Sequence, residues 1–380
     1  MRNFYFRLRS LFLLFIEGAD ESRIFDLRMT TIKITGSGSS IPDYIQPNAS
    51  FSKNTFYDTE GQPIANSNEE IIEKFKAITG IEQRRYIRDD QTVAEIAVEA
   101  AQKAIQEAQL DAETLDYIIL AHNVGDISVH SNQVNTLPSL ASKVKAGLGI
   151  QNPNCVAYDI LFGCPGWVEG VIQAQAFIKA EMATKCLVIG ADTLSRVLDQ
   201  SDRDSMIYAD GAGAVVVEKT TGEAGLLAHK TVTYTANGEA DFIFYGPSNA
   251  TGEGTKYIKM FGRKVYEFAL SHVPQAIKAC LDASGESIDE VKKIFIHQAN
   301  LKMDDAIIKR LYRLYKKPMP EGVLPMNIQE FGNSSVATVP TLFDLIRKKN
   351  YGGHSLQAGD LIIFASVGAG MNINAITYRM

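Results

Sequence analysis

Four cysteines, Cys155, Cys164, Cys186 and Cys280, are scattered through the chain without CxxC spacing, and only one has surroundings that suit a nucleophile. In "DILFGCPGWVEGVIQAQAF", Gly163 breaks a short apolar run just before Cys164, Pro165 fits the first turn of a helix, and Val168, Val171, Ile172 and Phe177 recur with helical spacing. A sulfur at a helix N-terminus lies beside unpaired backbone N–H groups and the positive end of the dipole. The thiolate is then favoured, and the pKa is expected to fall from about 8.5 towards neutrality. A free cysteine is more often a small buried core residue. That reading is taken for Cys155 and Cys186, in or beside strand-like runs, and for Cys280 on a helix.

A second group able to move protons is His297, which ends the apolar run "IFIHQAN" and projects from a strand end, where α/β sheets place their chemistry. A lone histidine is more often structural, and His122 in "IILAHN" occupies the matching place in the other half of the chain. Position alone does not choose between the two. Asn333 in "FGNSSVATVPTL" precedes a small-residue helix start and by itself reads as a cap. The stretch "LIIFASVGAGMNINAITY" reads as two strands around a Gly-rich turn. Backbone N–H groups of such a turn can hold an oxyanion, although a plain hairpin is the simpler reading.

The elements that must position these groups alternate. β-Branched runs at 31–35, 117–121, 186–190, 214–218 and 293–296 read as strands, and amphipathic stretches at 93–109 and 263–284 read as helices. Such alternation predicts an α/β fold with largely buried sheets. "LDYIILAHN" and "VKKIFIHQAN" each follow a helix and an acidic turn, which points to a duplicated α/β unit with a boundary near residues 220–225. Residues 51–67 are polar, turn-rich and aperiodic, and are expected to form a surface excursion.

The chain has 380 residues, 46% of them hydrophobic, enough to bury a large core. A net charge of −6 gives no bulk attraction to phosphate backbones or anionic lipid, which argues against nucleic-acid or membrane partners. The cysteine pattern suggests neither a metal cluster nor a disulfide framework and suits a reducing cytoplasm. The apolar run 11–16 is too short to span a bilayer, and the acidic residues that follow do not suit a signal peptide. Residues 1–28 therefore read as an extension outside the fold, with Met29 a candidate translation start.

Taken together and in order, "DILFGCPGW", "YADGAGAVVVE", "IHQANLK", "FGNSSVATVPTL" and "SVGAGMN" resemble β-ketoacyl-acyl-carrier-protein synthase III and its relatives in the thiolase superfamily, from about Met29 to the C-terminus. The resemblance implies a five-layered αβαβα fold built from a duplicated unit, residues 29–222 carrying the nucleophile and 223–380 the histidine and asparagine. It also implies a homodimer, a tunnel for the phosphopantetheine arm and no permanently bound cofactor. The family's Cys-His-Asn triad falls on Cys164, His297 and Asn333. Cys164 attacks the first thioester, the backbone N–H groups of Cys164 and Ala369 hold the tetrahedral oxyanion, and His297 and Asn333 stabilise the enolate of the second. The "DGAGA" stretch, 210–214, reads as packing at a tight turn and not as a nucleotide loop.

The same likeness places Lys302, Lys309 and Arg310, with Arg313 nearby, on positions that relatives use to dock an acidic acyl-carrier protein. Leu137 stands where relatives send a pocket-lining side chain across the dimer. There are departures. Where relatives carry a tryptophan and an arginine that clamp the adenine of coenzyme A, this chain has Lys74 and Ile78, which favours a donor delivered by carrier protein over coenzyme A. The insert at 51–67 and "KFKAITGIEQRRY" resemble specialised ketosynthases, including those that make dialkylresorcinol precursors of aryl-polyene pigments. Housekeeping initiation of fatty-acid synthesis from acyl-CoA and malonyl carrier protein shares every triad residue, and a non-condensing acyltransferase would also work through Cys164.

Overall fold

In the computed structural model, described for residues 30–129, 131, 133–252 and 254–380, short β-branched strands alternate with alanine-rich helices. The extension read at 1–28 and the start at Met29 lie outside the described residues. The first part of the chain runs β1 (Thr30–Ser40), β2 (Tyr44–Pro47), α1 (Asn68–Thr79), β3 (Gln83–Tyr86), α2 (Val93–Ala108), β4 (Tyr117–His122), α3 (Leu140–Gly147), β5 (Val156–Leu161), α4 (Gly166–Lys179), β6 (Lys185–Thr193) and β7 (Asp210–Thr221). It continues through β8 (Gly225–Thr233), β9 (Ile243–Pro247), β10 (Lys256–Met260), α5 (Gly262–Ser284), β11 (Val291–Ile296), α6 (Leu301–Leu314), the short α7 (Ile328–Phe331), α8 (Thr338–Lys349), β12 (Leu361–Gly368) and β13 (Asn372–Arg379).

Local sequence explains the helix limits. α1 and α2 each start on a capping box, Ser67 with Glu70 and Thr92 with Glu95, in which side chain and backbone satisfy each other's free N–H groups. Gly80 ends α1 at φ 77°, a conformation that costs glycine little.

Two sheets carry the fold. The first is ordered β1-β7-β6-β4-β5 and the second β8-β13-β12-β11. From β1 and from β8 the first three pairings repeat as antiparallel, antiparallel, parallel, so one topology is used twice. α2 and α3 cover the outer face of the first sheet, and α5 covers that of the second with α6 packed beside it. α4 and α8 lie between the sheets and touch both, which completes the five layers αβαβα.

The central layer is the dense part of the core. Trp167 of α4 is fully buried and meets Phe364 of β12 edge-to-face, centroids 5.4 Å apart, and Phe295 and Phe343 pack on the same ring. The "DGAGA" residues prove to be strand and not turn: they begin β7. A Cβ on Gly213 would lie 2.7 Å from Pro340 of α8. Small residues there let the strand lie against the segment that carries Asn333.

Residues 51–67 are more than a surface excursion. Phe51 and Phe56 are buried with Ile71 and Met206 in a small core of their own, and the Arg84 guanidinium, itself fully buried, stands 4.9 Å from the Phe51 ring centroid. Burial at irregular intervals leaves no period to read. Among the described residues no helix is long and apolar enough to cross a membrane.

A close approach within the central layers gives a prediction. A Cβ on Gly190 of β6 would lie 2.5 Å from the backbone oxygen of Val336. Gly190→Val should lower stability by about 1–3 kcal/mol through overpacking, read as a reduced urea midpoint; an unchanged midpoint would show that this contact yields freely.

Candidate active site

Cys164 stands at the end of a strand-turn-helix. Gly163 takes φ 75°, which turns the chain sharply after β5. Pro165 occupies the N-cap of α4 instead of its first turn, so Cys164 lies one position outside the helix. The Gly-rich turn after β12 is pressed against it. A Cβ on Gly368 would be 2.6 Å from the backbone nitrogen of Cys164, and one on Gly163 would be 3.0 Å from that of Ala369. Only glycine at both places lets the backbones of Cys164 and Ala369 meet.

The sulfur is held by a chain of polar groups that the sequence did not reveal. The Ser335 hydroxyl donates to Sγ at 3.3 Å. Asn123 Nδ2 donates to Ser335 Oγ at 2.5 Å and to Asp192 Oδ2 at 2.7 Å, and the Asn123 backbone N–H donates to Asp192 Oδ1 at 2.8 Å. Ser335 has φ 54°, uncommon for a residue with a side chain. Its backbone N–H donates to Asn333 Oδ1 at 2.8 Å. With its oxygen so occupied, the Asn333 amide has both Nδ2 hydrogens free for the cavity, which settles its orientation.

His297 follows the end of β11. Its Nδ1 lies 2.8 Å from Thr338 Oγ1, whose hydroxyl proton goes to the Ser335 carbonyl at 3.0 Å. Thr338 can therefore only accept from the ring, so the proton sits on Nδ1 and the Nε2 lone pair is free. His122 is different. Its Nδ1 accepts the Gly125 N–H at 2.9 Å, and its Nε2 faces Asp159 Oδ2 at 3.4 Å. Asp159 also accepts the N–H groups of Leu140 and Ala141 at the start of α3. Both ring nitrogens of His122 are used to hold loops, and His297 is the histidine that lines the cavity.

Electrostatics correct one expectation. Burial pushes the Cys164 thiol up to about 12; the Ser335 hydroxyl acts against this, while the Asp192 carboxyl adds to it. Burial likewise pushes His297 down to about 4, against a hydrogen bond to the Ser335 backbone. The resting pair is neutral thiol and neutral imidazole, not the thiolate that the helix-start argument leads to. That argument counted the N–H groups near the sulfur but not the loss of water around it.

Cys164, His297, Asn333 and Ala369 line one cavity of about 830 Å³. Leu194, Ile207, Ile243, Ile258, Val367 and Met371 make much of its wall apolar, and the exposed cations Lys74, Arg203, Arg263 and Lys264 border it. Thr59, Ile64 and Asn66 of the 51–67 segment reach it too, as do Lys74 and Ile78. Asn300 and Met303, at the start of α6, are in the wall. Lys302 is exposed one residue away, Lys309 is paired with Asp305 at 2.7 Å, and Arg310 donates to the Leu270 carbonyl. Leu137 is 84% exposed and is not part of this cavity within one chain.

Comparison with known proteins bears on what this arrangement is. The profile described as 3-oxoacyl-[acyl-carrier-protein (ACP)] synthase III matches residues 158–235, and that of its C-terminal part matches 281–380. A β-ketoacyl-[acyl-carrier-protein] synthase III of Erythrobacter litoralis is 31% identical over 92% of this chain and 100% of its own length. That of Vibrio vulnificus, synthase III 1, is 33% identical over 91% and 99%. The crystal structure of 3-oxoacyl-[acyl-carrier-protein] synthase III from Aquifex aeolicus superposes with a TM-score of 0.77 at 28% identity, covering 92% of this chain and all of that one.

Because the thiol is protonated at neutral pH, alkylation of Cys164 by iodoacetamide should speed up about tenfold per pH unit between about pH 7 and 9, following the thiolate fraction. Peptide mass spectrometry across that range is the check, and a rate already level by about pH 8 would reveal a preformed thiolate. Ser335→Ala should slow the reaction at any given pH, since it removes the hydroxyl that favours the charged sulfur.

Proposed function

The chain belongs to the 3-oxoacyl-[acyl-carrier-protein] synthase III family of the thiolase superfamily and is a condensing ketosynthase, and we propose that Cys164 is the residue on which it carries the acyl group. The observation that supports this most directly is the convergence of Cys164, His297, Asn333 and Ala369 on one cavity.

In this reading Sγ attacks the carbonyl carbon of an acyl thioester while the Nε2 lone pair of His297 takes the thiol proton. The backbone N–H groups of Cys164 and Ala369 receive the oxyanion. The tetrahedral adduct collapses by breaking the bond to the departing phosphopantetheine sulfur, which recovers the proton from His297. Charge is thus passed through two groups that are both neutral at rest, and no ion has to wait in the enclosed site. A second thioester then enters, and Asn333 Nδ2 donates to its carbonyl oxygen as enolate character develops. The electron pair of that enolate comes either from the α C–H bond, whose proton His297 Nε2 takes and later gives to the expelled Sγ, or from a C–CO2 bond broken with release of carbon dioxide, in which case Sγ is reprotonated from solvent. The enolate carbon attacks the acyl-enzyme carbonyl, forms the new carbon–carbon bond and frees Sγ.

Residues 29–222 then supply the nucleophile and 223–380 the two groups that serve the second substrate. Acyl-carrier protein is the proposed donor. Lys74 and Ile78 stand in the cavity wall where the resemblance expects the adenine clamp, and neither is aromatic, while the cations around the cavity suit an acidic carrier together with the phosphate of its arm. Lys302, Lys309 and Arg310 extend that basic border along α6. A homodimer is proposed from β5, an edge strand with exposed Val156 (47%) and Leu161 (72%). Leu137, also exposed, would then be offered to the partner's acyl pocket. A role in specialised fatty-acid, polyketide or aryl-polyene and dialkylresorcinol synthesis fits the 51–67 segment, which reshapes the cavity wall.

The test is to incubate purified protein with acyl donors on coenzyme A and on carrier protein, then weigh the intact protein and measure extender consumption. Cys164→Ala should take up no acyl group; an adduct that persists on another residue would refute the assignment. Asn333→Ala should lose about 10²–10³-fold in condensation and less in acylation, whereas His297→Ala should slow both steps because it also takes the thiol proton; single-turnover measurements separate the two. Lys302→Glu should raise KM for carrier-bound donors, and an unchanged value would remove α6 from the docking surface.

A further inference from the structure

β9 and β10 pair only with each other and join neither main sheet, so side chains must fix where this hairpin stands. Its two faces differ. Along β10, Ile258 lines the cavity of Cys164, and Lys259 lines a neighbouring cavity of about 970 Å³. Met260 and Phe261 stand between the two. The alternation is that of a strand with one face turned to each space. On the side of Cys164 the hairpin is apolar, with Ile243, Ile258 and Met260 in the wall.

On the other side it is pinned. Lys259 is only 7% exposed, and its Nζ reaches Asp199 Oδ2 at 2.6 Å, Asp202 Oδ2 at 2.9 Å and Asn249 Oδ1 at 2.8 Å. Asp199 also accepts the Asn249 backbone N–H at 2.7 Å and the Ser248 hydroxyl at 3.0 Å. Asn249 Nδ2 in turn donates to the Tyr57 carbonyl in the 51–67 segment. Burial raises the Asp199 carboxyl, but the hydrogen bonds from Lys259 and Ser201 prevail and hold it at about 2. One ammonium thus ties β10, the loop after β6 and the 51–67 segment to a single point behind the substrate wall.

We infer that Lys259 is a positioning residue that sets acyl-chain selectivity: by pinning the β9–β10 hairpin it keeps an apolar wall far enough back for an extended alkyl chain beside Cys164. The inference rests on the reading that Cys164 carries the acyl group. An acetyl group fills the space of two or three waters, about 30 Å³ each, and it ends before a wall of this kind matters. A long chain must run along it. Lys259 touches no substrate in this scheme and acts only through Ile258 and Met260. Replacing it by an apolar residue leaves Asp199 and Asp202 without their cation, so the hairpin leaves the loop and settles into the apolar cavity.

Competition between an acetyl and a dodecanoyl thioester in one vessel, read as the ratio of the two adducts on Cys164, is independent of how much protein is active. Lys259→Met should lower the dodecanoyl-to-acetyl ratio about tenfold or more, the scale at which a pocket discriminates by methylene groups. Asp202→Asn, which keeps the pair with Asp199, should shift the ratio the same way by less, and it decides the matter if Lys259→Met does not fold. A residue that merely stabilises the fold would reduce both adducts together. An unchanged ratio in either folded variant, with wild type acylated by both donors, overturns the inference. Wild type acylated by neither overturns the functional reading and this inference with it.

Discussion

Enclosure of one sulfur is the constraint on which the site depends. Cys164 is only partly exposed at the wall of a largely apolar cavity, and the loss of water around its thiol penalises the charged form more than the Ser335 hydroxyl compensates. The same enclosure keeps His297 neutral. A site built this way cannot store charge. It must offer, at once, a place for the proton and a place for the oxyanion. The free Nε2 of His297 and the abutting backbones of Cys164 and Ala369 are the groups proposed for those two tasks.

The duplicated topology explains how groups far apart in sequence come together. Cys164 follows β5, His297 follows β11, and Ala369 follows β12, so three strand ends deliver them to one side of the stacked layers. Asn333 comes from the stretch before α8, held by Ile207 and Ala209 through backbone hydrogen bonds at 3.0 and 2.8 Å. The central helices α4 and α8 touch both sheets, and these four residues collect at their N-terminal ends.

Much of this was legible in the letters because it depends on local order. A glycine, a cysteine and a proline between a strand and a helical pattern mark a turn that exposes the side chain in the middle, and no other cysteine has that frame. The alternation of strands and helices predicted an α/β fold with buried sheets for the same reason, whereas the five layers were implied only by the family resemblance. His297 and His122 were indistinguishable, since both end buried strands; what separates them is the partner of each ring nitrogen, Thr338 in one case and Asp159 with Gly125 in the other. Asn123 and Asp192 left no trace, because the bond from Asn123 to Ser335 spans 212 positions. The 51–67 segment lies at the surface for most of its length, as read, but the burial of Phe51 and Phe56 was not legible because the two follow no period.

Ser335 combines two demands that pull towards different amino acids. Its backbone lies in a region that glycine or asparagine enters most readily, whereas its hydroxyl must reach the sulfur while accepting from Asn123. Threonine would keep the oxygen, but its branched Cβ is poorly tolerated at positive φ. Glycine would relax the chain and leave the Asn123 amide with Asp192 alone. Serine is small enough for the bend and polar enough for the sulfur, which makes this an unusually narrow place for drift: a change that eases the backbone disconnects the sulfur of Cys164, and one that keeps the connection strains the turn.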